Sequence, residues 1–134
     1  MKTGPAFILV FASVFVLGGC AGAPKVTAAP EPTGAERGME VYDRVIEIGG
    51  LNEACSNCHR LDSGQTSGPS FQGLAARAEG RSGELSAEEY LRQSIIDPSA
   101  YVAEGSFIFE MPEGYEDVLS EAEINDLIAF MMTK

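Results

Sequence analysis

Positive charge is scarce in this chain. Nine lysines and arginines stand against twenty aspartates and glutamates, a formal net charge of −11 over 134 residues. A surface this acidic repels polyanions, which excludes nucleic acid as a partner of the folded part. Cysteine is nearly as rare: only Cys20, Cys55 and Cys58 occur, too few for a disulfide framework. There is a single histidine, His59, so a site needing two imidazoles has no place here. No stretch alternates apolar and polar residues long enough to predict a sheet, and no internal repeat is visible.

What is present is unevenly distributed. Lys2 is followed by 22 uncharged residues, 3–24, most apolar over 6–17. The run "LGGC" at 17–20 sets two small residues before a cysteine and resembles the bacterial lipobox. That resemblance implies a signal peptide over 1–19, removed in the mature chain, and Cys20 as a lipidated N-terminus. The alternative is an uncleaved membrane-spanning helix, for which 22 uncharged residues suffice. Several acyl chains would anchor the protein stably, at roughly 0.8 kcal/mol per buried methylene. Either way, the rest of the chain is expected outside the cytoplasm, lipid-anchored or helix-anchored at a bacterial membrane, periplasmic or on the cell surface. Residues 20–34, the cysteine followed by "AGAPKVTAAPEPTG", read as an Ala/Pro-rich linker with no apolar period. This leaves 35–134 as one small domain.

Within that domain, Met39, Val41, Tyr42, Val45, Ile46 and Ile48 follow helical spacing, and Gly49-Gly50 stops the run, predicting a helix over 35–48. Ser86-Ala87-Glu88-Glu89 and Ser120-Glu121-Ala122-Glu123 are capping boxes that open two more helices. The first of these ends at Asp97-Pro98, because the residue before proline is driven out of the α region. The second carries Ile124, Leu127, Ile128, Phe130 and Met131 nearly to the C-terminus. A short helical turn is expected near 74–79. Two long Gly/Pro-punctuated loops, 60–73 and 97–119, complete an all-α domain with enough loop to wrap a ligand.

The chemistry gathers in "CSNCH", residues 55–59. Thioredoxin-type redox use of Cys-x-x-Cys goes with a βαβ pattern, and helices stand where its strands would be. A structural zinc site takes four ligands. With Cys20 committed elsewhere, Cys55, Cys58 and His59 supply three. Cys-x-x-Cys-His is instead the attachment pattern of c-type haem: the two thiols add across the vinyl groups and the histidine binds iron. One histidine excludes bis-His ligation. Met39, Met131 and Met132 read as helix residues, whereas Met111 sits in a loop, followed by Pro112 and preceded by Phe107 and Phe109. A loop can carry a thioether to the iron's second face, where such a ligand raises the reduction potential.

Over residues 35–134 the chain resembles the class I cytochromes c. Gly38 and Tyr42 match that family's first-helix glycine and aromatic, and Leu127 and Phe130 match their partners on the last helix. "GPSFQGLAAR" (68–77) is similar to its Gly-Pro-x-Leu-x-Gly-Leu-x-x-Arg, with Phe71 in place of Leu, and "DPSAY" (97–101) to its Asn-Pro-x-x-Tyr. The resemblance implies a small class I fold, three main helices and long loops around one covalent haem c. It further implies Pro69 accepting a hydrogen bond from His59 Nδ1, Arg77 near a haem propionate, and axial ligation by His59 and Met111. Ser94 falls where some members keep a tyrosine bonded to the methionine sulfur.

The function so implied is one-electron transfer between redox protein partners, with no small-molecule substrate and no catalytic residue. The segment "YLRQSIIDPSAYVAEGS…MP" on an anchored single-haem chain is similar to the monohaem subunit of alternative complex III, a quinol-oxidising assembly. The competing expectations are a free-standing anchored cytochrome donating to a terminal oxidase or reaction centre in a respiratory or photosynthetic chain, and, from another class, a haem peroxidase or oxidase.

Overall fold

The computed structural model describes residues 31–64, 66–81, 83–102, 104 and 109–134. Cys20, the expected signal peptide, most of the expected linker and Phe107 lie outside them. Among the described residues six helices and one hairpin follow each other: α1 (Gly34–Asp43), β1 (Ile46–Ile48), β2 (Leu51–Glu53), α2 (Cys55–Cys58), α3 (Leu74–Ala78), α4 (Ala87–Ile96), α5 (Tyr115–Val118) and α6 (Glu121–Met131).

The three long helices begin in the same way. Thr33, Ser86 and Ser120 each accept a hydrogen bond from the backbone N–H three residues on, and Glu36, Glu89 and Glu123 reach back to the cap's own N–H. Each box satisfies two donors the helix would otherwise leave open. The bonds favour the ionised carboxylates, so all three glutamates are held below the usual range. Glu123, bonded by the Ser120 backbone and then by Arg44, falls to about 2.

α1 crosses α6 at Gly38. A β-carbon there would come within 2.7 Å of Phe130 Cβ and closer still to the Asp126 carbonyl. The helices therefore approach to a distance that only glycine permits. One turn on, Tyr42 lays its ring 5.3 Å from that of Phe130. Arg37 grips both carboxylate oxygens of Asp126, at 2.7 and 2.8 Å, and Arg44 meets Glu123 at 2.5 Å. Val41 and Tyr42 from α1, Tyr90, Leu91 and Ile95 from α4, and Ile124, Leu127, Ile128, Phe130 and Met131 from α6 share one core. Burying them is the main stabilising term.

The helix expected over 35–48 ends at Asp43, and 46–53 forms an antiparallel hairpin instead. Ile48 pairs with Leu51, which leaves Gly49-Gly50 as a two-residue turn with φ of 57° and 78°. Positive φ at both positions is the type I′ hairpin requirement, and glycine meets it without strain. Ile46 and Ile48 point inward while Glu47 faces solvent, a two-residue period. The expectation of no sheet thus fails at this one hairpin. β1 packs against α5, a short helix that carried no sequence signal. No helix among the described residues is long and apolar enough to cross a membrane.

Candidate functional site

α2 is a single turn built from the motif itself. Cys55 opens it, Cys58 closes it, and the N–H of His59 returns to the Cys55 carbonyl at 2.9 Å. One helical turn brings residues three apart to the same side. Both thiols are free and partly buried. Burial pushes Cys55 up to about 11, and the neighbouring Cys58 adds to the shift. Cys55 is therefore presented as a neutral thiol, not a thiolate.

His59 is fixed from several directions. Its Nδ1 lies 2.9 Å from the Pro69 carbonyl oxygen. That acceptor requires a proton on Nδ1, which leaves Nε2 as the ring's donor of a lone pair. Burial lowers the imidazole's pKa, opposed by the bond to Pro69, so the ring is neutral at neutral pH, as a ligand must be. Phe71 stacks on it with centroids 4.8 Å apart and planes at 25°. The leucine-to-phenylalanine departure therefore places a flat ring against the candidate ligand. A side chain at Gly68 would come within 2.6 Å of Cε1, so the loop passes close because that residue has none.

The main chain beside the motif is held residue by residue. The Cys58 carbonyl accepts from Gly68 N–H at 2.9 Å and from the Thr66 hydroxyl. The His59 carbonyl accepts from the Tyr42 hydroxyl, and the Arg60 carbonyl from Phe71 N–H at 2.7 Å. The sequence marks Tyr42 for its ring alone; its hydroxyl is an additional part of the site. Tyr115 is another. It is buried, and burial followed by the neighbouring Cys55 and Cys58 raises it to about 12. Its only sequence signal is an aromatic four residues after Met111.

The structure thus brings Cys55, Cys58, His59 and Pro69 together. Met111 lies outside any helix, half-buried and packed against the edge of the core. Arg77 donates to the Ser70 carbonyl at 2.5 Å and to the Gln72 carbonyl, bracing the loop that carries Phe71. Of the other methionines, Met39 is exposed and Met131 is in the core.

These donors fit a haem better than a protein-only metal ion. Among the described residues no three His, Cys, Asp or Glu side chains converge as an ion would need. Two unpaired thiols beside a histidine with a free Nε2 are what covalent attachment and axial ligation call for. No match was found among curated proteins. The family model described as Cytochrome c matches residues 35–134. This interval contains the α1–α6 crossing, the thiol turn and the Met111 loop, and its helical architecture is that of the small class I fold. The chain belongs to the cytochrome c family, whose members bind covalent haem c and carry electrons.

Proposed function

We propose that this protein is a membrane-anchored one-electron carrier in which Cys55 and Cys58 hold the haem through thioethers and His59 and Met111 ligate its iron. The observation that carries the reading is the His59 ring, whose Nδ1 is tied to Pro69 and whose Nε2 is left to donate. When bound, the haem supplies the ferrous–ferric couple. The chain's own residues hold, orient and shield it. Pro69, Gly68 and Phe71 fix the imidazole plane, and Met111 offers a thioether from a loop. Arg77 holds the loop that bears Phe71, and a reach from there to a propionate remains part of this proposal. With His59 and Met111 both given to the iron, the chain would offer peroxide or oxygen no position there, which favours carrier over enzyme. Hydrogen peroxide mixed with the reduced protein and a reductant is expected to show no sustained turnover. Steady consumption would favour the peroxidase reading.

The anchor is proposed to be lipid on Cys20, with the protein serving a quinol-oxidising complex of the alternative complex III type. A free-standing anchored carrier is the second reading. Cys20→Ser is expected to move the haem-loaded domain from the membrane to the soluble fraction. Unchanged membrane association of the isolated chain would indicate a retained apolar helix.

Partner choice has an electrostatic side. Arg37, Arg44, Arg60 and Arg92 each pair with an acid, at 2.7, 2.5, 2.6 and 2.9 Å. Glu104, Glu110, Glu113, Glu116 and Asp117 are exposed on either side of Met111. Clustered charge of one sign raises encounter rates with an oppositely charged protein, most strongly at low salt. Stopped-flow electron transfer to a basic redox protein is therefore expected to slow steeply as salt rises. Glu113→Lys or Glu116→Lys should lower the low-salt rate by roughly tenfold and flatten that dependence. A rate indifferent to both would leave these acids without a steering role.

A further inference from the structure

We propose that Tyr42 is a positioning residue for the iron ligand His59, holding the ligand's own peptide from helix α1 through its hydroxyl; this rests on His59 being that ligand.

The argument begins with what the crossing needs. Tyr42 is buried in the core, with its ring 5.3 Å from Phe130 and 5.8 Å from Phe71. A phenyl ring would fill that hollow equally well, so packing does not account for the hydroxyl. A hydroxyl in such surroundings needs a partner, and here it donates to the His59 carbonyl, seventeen residues along the chain. The carbonyls on either side are held from the 66–71 loop, Cys58 by Thr66 and Gly68 and Arg60 by Phe71. His59 is the one held from α1. Its backbone is extended, with φ −118° and ψ 108°, and lies just past the last turn of α2, so the helix does not fix its carbonyl.

Side chain and main chain of one residue are thereby held from opposite directions. Pro69 and Phe71 fix the imidazole, and Tyr42 fixes the peptide from which the imidazole hangs. Phe71 touches both rings, which couples the two restraints. Groups that orient a ligating histidine tune the metal as well as the fold, and at a haem such bonds are one means of setting the potential. The helix crossing and the iron ligand are thus mechanically linked through one hydroxyl.

The single histidine makes the test clean. Histidine labelled with ¹³C at its carbonyl and ¹⁵N in its ring marks one residue of the intact holoprotein. The labelled carbonyl's infrared band is expected at a hydrogen-bonded, lowered frequency and should move up in Tyr42→Phe. In the same variant the spread of the ferric haem-methyl proton resonances, which follows the orientation of the axial imidazole, should change, and the reduction potential should shift. Arg37→Gln loosens the same crossing at Asp126 without touching His59. It should lower the melting temperature and leave band, methyl pattern and potential in place. An unbonded carbonyl frequency in the unsubstituted protein overturns the proposal, even if Tyr42→Phe fails to take up haem. So does a Tyr42→Phe variant that melts lower with all three signals unmoved. The ¹⁵N resonance separates the two levels: a ring Nε2 without a paramagnetic shift in the ferric protein refutes ligation by His59 itself.

Discussion

Replacing Cys55 and Cys58 by alanine together is expected to abolish covalent haem and with it cooperative unfolding. The residues that α1, α4 and α6 bury form one small core. Domains of this size bury a smaller fraction of their surface than large ones do and are marginal without reinforcement. The core is also lopsided. Between Asp97 and Gly114 no described residue is buried by protein, and from 60 to 70 only Gly68 is. Those loops have few apolar contacts to offset the entropy of ordering them. The double variant should release all its haem to acidified organic solvent, and its thermal transition should broaden or vanish. A compact apo-domain with a sharp melting transition would show that the protein core suffices alone.

Met111→Ala is expected to open the iron's second axial position. The reduced variant should bind carbon monoxide stoichiometrically where the unsubstituted protein binds none, and its potential should fall, since the thioether raises it. Met131→Ala provides the contrast. Met131 is buried in α6 among the core residues, so its truncation should cost about 2–5 kcal/mol of stability and leave the iron's spectrum unchanged. The two variants separate ligation from packing. Loss of the sulfur-to-iron absorption band in the Met131 variant, with the band retained in the Met111 variant, would reverse the assignment.

The legible parts of the sequence were those in which chemistry is local. The capping boxes at Ser86 and Ser120 lie within four residues each and form as written, whereas the equivalent box of Thr33 and Glu36 emerges only in the structure. The motif that forms the thiol turn, residues 55–59, is five residues long. Gly38 was legible through a resemblance, and the contact a β-carbon would make there gives its physical reason. The 46–53 hairpin stands where a helix is expected because Val45, Ile46 and Ile48 satisfy a helical period as readily as a strand's over so short a run. Gly49-Gly50 serves equally as a helix stop and as a two-residue turn. The Tyr42 hydroxyl could not be read at all, since its partner is a backbone carbonyl with no side-chain signature. Arg77 makes contacts that the resemblance does not convey. Its bonds are to the Ser70 and Gln72 carbonyls, contacts that depend on how the 70–72 loop turns and not on the residue's type.

The most direct measurement is a spectroelectrochemical titration of the intact protein, with carbon monoxide added at the reduced end. A carrier built on Cys55, Cys58, His59 and Met111 predicts a covalent, low-spin haem that titrates reversibly as one electron and leaves carbon monoxide unbound. A haem extracted by acid and solvent, or an iron that is high-spin and takes up carbon monoxide at once, would contradict it.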